Sequence, residues 1–344
     1  MRAAVFKRAG LLEVEDIPMP KAGLGELVVK VHYCGICGSD LHRYHYGLMA
    51  PGVVMGHEYS GVVVEVGAGV EGWQVGDRAI RGVRAGLLGS RYSAREKGFT
   101  LDVKLPGGYA EYCSAPAATL LHVPEGLADD VAALSEPLAV GVHAVRLSSV
   151  KMGDAVAVLG AGPIGLLALQ AIKQTGPRLL IVSEPVAARR ELALKLGADV
   201  AIDPRAVDPV AECVRLTGGL GPDVVFECAG AKGTHADPQT GVGTRQPTLQ
   251  QALEMARKRG QVVLVALCME PCQVSPLDWV GREVQLQCSY GSEPLDWQIV
   301  LSLLANGKVQ GKPLISNVVP LAEIQPAFQS LLNPTDELQV LVKP

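Results

Sequence analysis

The sequence predicts an α/β protein of two domains, one irregular and β-rich, the other a doubly wound parallel sheet. Three observations predict this. At 344 residues the chain exceeds the size at which a single hydrophobic core usually keeps growing. Its first part consists of short β-rich runs broken by Gly and Pro, with little helical periodicity. From about Lys151 the texture changes to apolar strands separated by helical stretches of about 10 to 15 residues, the pattern of parallel βαβ units.

Taken in order, the β-rich part has strand composition at Leu27 to His32, Ser60 to Val66, Arg78 to Ile80 and Tyr109 to Ser114. Gly67, Gly69 and Gly76-Asp77 mark the tight turns of a small barrel-like sheet. Beyond Lys151, strands are expected at Ala155 to Leu159, Leu179 to Val182, Ala198 to Ile202, Asp223 to Glu227 and Val262 to Leu267. They are continuously apolar, as strands covered on both faces are. Helices are expected at Ile164 to Thr175, Val186 to Leu196, Asp208 to Thr217 and Thr248 to Arg259, with stops at Gly176-Pro177, Gly197 and Gly260. After about Tyr290 an amphipathic segment, Leu295 to Ala305, and a last strand, Gln339 to Lys343, return the chain to the first domain. The expected domains are therefore 1-150 with 290-344, and 151-289. Arg81 to Gly108 and Ala231 to Gln246 read as surface or cleft-side loops.

Composition narrows the function. Apolar residues at 48% and charged ones at 19% describe a globular chain rather than a disordered or coiled one. A net charge of -4, with no cluster of Lys and Arg, argues against a nucleic acid or an anionic membrane as partner. A small molecule is the default. The amino terminus MRAAVFKRAG lacks the apolar region of a signal peptide, and eight irregularly spaced Cys do not suggest a disulfide framework, so a reducing cytoplasm is expected. The uncharged run Ala155 to Ile172 is long enough for a membrane span, but Gly160, Gly162, Pro163 and Gly165 break it.

Gly160-Ala161-Gly162-Pro163-Ile164-Gly165 is a GxGxxG that follows an expected strand and opens an expected helix. Its glycines suit a tight turn, close approach to a pyrophosphate and close helix-to-strand packing, as in a Rossmann domain. Glu184 stands 19 residues after Gly165, at the end of the next strand, where a carboxylate can accept hydrogen bonds from the adenosine ribose. The same charge repels a 2'-phosphate, which favours NAD over NADP. Arg189 and Arg190 weigh the other way.

Tyr33 to Gly61 gathers donors for a metal. Cys37, His57 and Glu58 offer the sulfur, nitrogen and oxygen that zinc accepts, and a catalytic zinc keeps one position open. On a regular strand His57 and Glu58 point to opposite faces, so both ligate only if the backbone turns there. Otherwise Glu136, expected in an extended-then-helical bend before Pro137, is the third ligand. Both remain candidates. Cys34 makes a CxxC with Cys37, but no second CxxC follows. Tyr44, His45 and Tyr46 are candidates for the substrate pocket, against a plain loop role. The backbones of Cys228-Ala229-Gly230 and Ser289-Tyr290 follow expected strands, where a doubly wound sheet binds its ligand.

CGICGSDLH, GHEYSG, SEPLAVGVHA and GAGPIG, in this order, resemble the medium-chain zinc alcohol dehydrogenases, closest to the sorbitol and 2,3-butanediol dehydrogenase branch. The resemblance covers essentially the whole chain. It implies a GroES-like catalytic domain beside a Rossmann domain, and zinc held by Cys37, His57 and either Glu58 or Glu136. It further implies Ser39 as the hydroxyl bonded to the substrate oxygen, His42 as the imidazole relaying its proton, and Asp40 orienting either that network or the metal ligands. Relatives are dimers or tetramers, so a homo-oligomer is expected. Many relatives carry four cysteines of a structural zinc lobe where residues 81 to 108 here contain no Cys, which implies one zinc per chain.

Zinc brings the pKa of a bound oxygen acid from about 15.7 for water to about 7, and nicotinamide carries the hydride. The reaction expected is oxidation of a secondary alcohol, in a diol or polyol, to a ketone. Two other readings remain: a zinc-free reductase of the same superfamily, and a non-catalytic dinucleotide-binding sensor.

Overall fold

The computed structural model describes residues 1–82, 107–230, 246–268, 271–332 and 336–344. The loops expected at 81 to 108 and 231 to 246 lie mostly outside these residues. The chain divides into two compact units: Met1–Pro137 with Ser292–Gly307 and Gly311–Pro344, and Leu138–Gly291 with Lys308–Gln310. The division falls at Pro137, inside the first turn of the helix Ser135–Leu147. The change of texture near Lys151 marks the strand that follows, Ala155–Leu159.

The first unit is built on a seven-stranded sheet. Its strands lie in the order Ile315–Pro320, Gln339–Lys343, Glu26–Gly35, Glu58–Val66, Arg78–Arg81 and Leu120–His122, with Tyr112–Pro116 also paired to Glu26–Gly35. Glu26–Gly35 is long because Leu27, Val28, Val29 and Val31 bury completely or nearly so. Its register is broken at Val28/Val29 and at Val31/Tyr33, and such irregularities bend and twist a strand. At its far end Gly35 faces Glu58 on one side and Leu341 on the other. The core of this unit gathers Phe6, Tyr44, Tyr59, Tyr109 and Phe328.

The expected strand at Tyr109 to Ser114 is displaced to Tyr112–Pro116. Tyr109 bonds elsewhere, its N–H donating to the Met55 carbonyl at 3.0 Å, and Ala110 bridges to Ala3.

The second unit carries a six-stranded sheet in the order Val200–Ile202, Leu179–Ser183, Ala155–Leu159, Val224–Glu227, Gln261–Leu264, Gln285–Cys288. All five pairings are parallel. The helix Pro163–Lys173 buries every residue from Gly165 to Ile172, which explains an apolar run long enough to suggest a membrane. Among the described residues no helix is long and apolar enough to cross one.

The helix expected at Thr248 to Arg259 stops at Met255. Arg259 sits in left-handed backbone at φ 60, and the Arg257 N–H turns back to the Pro222 carbonyl at 2.9 Å.

Candidate active site

The donors of the proposed metal site reach one point from two directions. Cys37 caps the helix Gly38–Tyr46, its sulfur accepting from the Ser39 N–H at 3.4 Å, and a helix start favours negative charge. His57 precedes the strand Glu58–Val66 rather than lying in it, because Gly56 turns the chain at φ +98. A Cβ there would fall 2.8 Å from the Cys34 sulfur, so only glycine fits. His57 thus lies outside the regular strand on which it and Glu58 would point to opposite faces. Donor atoms of Cys37, His57 and Glu58 all lie within 4.8 Å of one another.

The electrostatics fit a cation. Burial pushes the Cys37 thiol up, and the charge of Glu58 adds to it. Glu58, 2% exposed, is pushed up to about 8, by burial first and by the Glu136 carboxylate second. Burial opposes the His57 imidazolium, but Asp40 and Cys37 outweigh it and hold this histidine well above its ordinary range. Three groups facing one another, Glu58 buried and Cys37 and His57 partly so, thus hold protons that a divalent ion displaces. A thiolate, an imidazole and a carboxylate form a donor set of the kind zinc takes, with a fourth position open.

Around this cluster lies a second set of contacts. Asp40 is fully buried. It accepts from Arg43 Nη1 at 2.7 Å and from the Tyr109 hydroxyl at 2.8 Å, and its Oδ2 lies 3.5 Å from His57 Nδ1. Burial raises its proton affinity, but His57, Arg43 and Tyr109 together hold it below the usual carboxylate range. With Nδ1 turned to Asp40, Nε2 is the nitrogen left for a metal. Ser39 Oγ donates to the Cys37 sulfur at 3.2 Å, which places the expected substrate-binding hydroxyl beside the cluster. On the opposite side Gln339 Nε2 donates to Glu58 Oε2 at 2.8 Å.

Other expected residues stand further out. His42 is half-buried on the helix Gly38–Tyr46, stacked at 6.3 Å on Tyr46; burial and then His45 lower its pKa. Glu136 belongs to the first turn of Ser135–Leu147, so the extended-then-helical bend before Pro137 gives way to plain helix. Proline is tolerated there because its missing N–H is one of the unpaired ones. Its charge reaches Glu58 and Cys37, but it is outside the three-donor cluster. Tyr44 is not a pocket residue: it is 1% exposed and donates to the Gly10 carbonyl at 2.7 Å. Cys34 packs in the core. Arg43, Tyr109 and Gln339 were not visible as site residues. One sign existed for Gln339, a polar side chain opening the otherwise apolar run before Lys343.

In the second unit the strand Ala155–Leu159 runs into Gly160, whose φ is +91. A Cβ on Gly160 would meet Ala229 at 2.9 Å, so the turn packs on the Cys228-Ala229-Gly230 segment. A Cβ on Gly165 would lie 1.9 Å from the Gly160 carbonyl oxygen. Gly162 caps the helix Pro163–Lys173 with no side-chain bond, and nothing lies within 4 Å of where its Cβ would be. The fingerprint glycines thus leave open space at a helix start, the setting that takes phosphates.

Glu184 is buried beside this turn. Its Oε2 accepts from the Ala161 N–H at 2.7 Å and its Oε1 from Val186 at 2.9 Å, leaving one lone pair on each oxygen for a ligand. Arg190 is occupied by the carbonyls of Glu184 and Pro185, at 2.8 and 2.7 Å, and by Asp203 at 2.9 Å. Arg189 lies in the first turn of Ala187–Leu196.

A sheet unit with a three-donor metal cluster, together with a parallel-sheet unit carrying a dinucleotide fingerprint, defines a zinc-type dehydrogenase. Residues 23–125 match the alcohol dehydrogenase GroES-like domain and residues 163–238 the zinc-binding dehydrogenase family. The chain is 35% identical to sorbitol dehydrogenase of Halalkalibacterium halodurans, over 97% of this chain and 96% of that one. It is 34% identical to (R,R)-butanediol dehydrogenase of Bacillus subtilis over 100% of both. The crystal structure of 2R,3R-butanediol dehydrogenase from Bacillus subtilis superposes with a TM-score of 0.86, at 33% identity, over 100% of this chain and 99% of that one. The chain belongs to the zinc-dependent medium-chain alcohol dehydrogenases, in their sorbitol and butanediol dehydrogenase branch. It is an oxidoreductase of secondary alcohols that uses zinc and a nicotinamide dinucleotide.

Proposed function

We propose that the protein oxidises a secondary alcohol within a vicinal diol or polyol to the ketone, with NAD, and holds one zinc per chain through Cys37, His57 and Glu58. The observation that carries this reading is the convergence of those three donors within 4.8 Å. Glu136, whose charge is felt at Glu58, stands ready as the exchanging carboxylate. Zinc, when bound, polarises the substrate hydroxyl. Ser39 receives the hydroxyl proton, and His42, three residues along the same helix, passes it to water. A bound nicotinamide dinucleotide would take the hydride from the carbon, so the products would be a ketone, NADH and one proton. Asp40 holds the His57 ring. The fingerprint Gly160, Gly162, Pro163, Ile164 and Gly165 receives the pyrophosphate, and Glu184 receives the ribose.

Support for NAD over NADP is the buried Glu184 carboxylate together with Arg190, which is already committed to Asp203 and two carbonyls. Arg189, in the first turn of Ala187–Leu196, argues for a 2'-phosphate. A diol or polyol is supported by what the relatives named above are called. A cytoplasmic homodimer or homotetramer fits the reading.

The test is dinucleotide reduction across vicinal diols, polyols, amino alcohols and simple alcohols, with NAD and with NADP, with and without a strong chelator. A diol or polyol should be turned over at least about tenfold better with NAD, and chelation should abolish it. Activity that survives chelation, or a preference for NADP, would overturn the corresponding part of the reading.

A further inference from the structure

Among the described residues no Lys or Arg pairs with Glu58. Its charged neighbours are the acidic Asp40 and Glu136 and the His57 imidazole, itself one of the three donors. What holds Glu58 is neutral: the Gln339 side-chain amide donates to Oε2 at 2.8 Å, with Gln339 itself 2% exposed. The pair is separated by 281 residues in sequence. The sheet brings it together, since Gly35 faces Glu58 in one strand and Leu341 in the other. Gly35 leaves room for the pair: a Cβ there would lie 2.1 Å from Glu58 Oε2 and 2.5 Å from Gln339 Nε2, so both side chains would have to shift.

We propose that Gln339 is a positioning residue of the metal site, whose amide fixes Oε2 of Glu58 and thereby makes Glu58, rather than Glu136, the carboxylate that completes the ligand set. A buried amide restricts the rotation of the carboxylate and leaves Oε1 for the ion. Being neutral, it does not compete with the ion for the charge. An Arg or Lys in its place would form a buried ion pair and draw the carboxylate away. Loss of the amide frees Glu58 to rotate, and Glu136 then becomes an equal ligand. Partners that orient metal ligands in this way typically set affinity by about 10–100-fold. This inference rests on the zinc reading above.

The experiment measures zinc affinity by chelator competition, and the visible spectrum of the cobalt-substituted protein, in the full chain. The variants are Gln339→Met, which keeps the length and removes the donor, Glu58→Gln and Glu136→Gln, singly and with Gln339→Met. Gln339→Ala, which cannot overfill the site, serves if the methionine disturbs folding. In the parent, Glu58→Gln should weaken zinc at least about tenfold more than Glu136→Gln. Gln339→Met should weaken zinc about 10–100-fold and change the cobalt spectrum. On its background Glu136→Gln should become costly, while NADH binding stays unchanged. Unchanged affinity and spectrum in Gln339→Met and Gln339→Ala, with Glu58→Gln still defective, would overturn the role of Gln339 and leave the zinc reading standing. A parent that takes up neither zinc nor cobalt would overturn both.

Discussion

Asp129 opens the short helix Asp129–Ala132 and ties two strands to it. His32 Nδ1, on Glu26–Gly35, lies 2.6 Å from its Oδ2, and Arg78, on Arg78–Arg81, donates to Oδ1 from Nε at 2.9 Å. Ser60 Oγ adds a bond to its carbonyl at 2.6 Å. Burial alone would raise the Asp129 proton affinity, but His32 and Arg78 outweigh it and hold its pKa below the usual value. A carboxylate depressed in the fold stabilises it above its unfolded pKa of about 3.9, and that stability is lost as pH falls through the folded value. Asp129→Asn should therefore cost about 1–2 kcal/mol at pH 7, a figure reduced for partial solvent exposure. The gap to the parent should begin to narrow below about pH 4 and close only below the depressed folded value. Urea unfolding at pH 7, 5 and 3.5 checks it, and a gap independent of pH would mean that packing rather than charge is at work.

At the scale of elements, the fingerprint glycines separate folding from binding. Gly165 faces the Gly160 carbonyl so closely that a methyl group would sit 1.9 Å from it. Gly165→Ala must push the helix Pro163–Lys173 off its strand, at a cost of about 2–3 kcal/mol. Gly162 faces open space and has ordinary backbone at φ -71. Gly162→Ala should therefore stay within about 1 kcal/mol of the parent, the loss expected on exchanging a Gly cap for Ala. Its methyl group instead occupies the space left for the pyrophosphate, so NADH affinity should fall at least about tenfold. Thermal melts beside NADH fluorescence titrations decide it; equal NADH affinity in Gly162→Ala would remove the phosphates from this turn. These elements were legible in sequence because each is local. An apolar run bounded by glycine is a buried strand whatever its neighbours, and Gln339 to Lys343 was placed without error. The end of Thr248–Met255 was not legible, because a left-handed Arg259 and a bond from Arg257 to Pro222 carry no periodic signal. Cys37, His57 and Glu58 fall within 22 residues and announce themselves as donors. Gln339 reaches the same site only through sheet register, and Tyr109 through a non-strand segment held to Met55, neither of which single-residue patterns encode.

At the scale of the whole molecule, each compact unit carries its own core and its own part of the chemistry. The metal donors belong entirely to the first unit and the dinucleotide fingerprint entirely to the second. Zinc removal should therefore act on one half of the function and spare the other. A ligand bound only by the folded state stabilises it through mass action, by about 4 kcal/mol at a thousand times its dissociation constant. Stripped protein should melt earlier and lose all detectable turnover, while its NADH affinity, read by fluorescence, stays within about twofold of the parent. Re-addition of one equivalent of zinc should restore both melting temperature and turnover. The reciprocal case is Gly162→Ala, which should keep its zinc by metal analysis while binding NADH poorly. If stripping zinc abolished NADH binding in parallel with turnover, the ion would be holding up the fold of both units, and the assignment of chemistry to separate units would fail. If turnover persisted in stripped protein, the three clustered donors would be a structural feature and the reaction would need another source of polarisation.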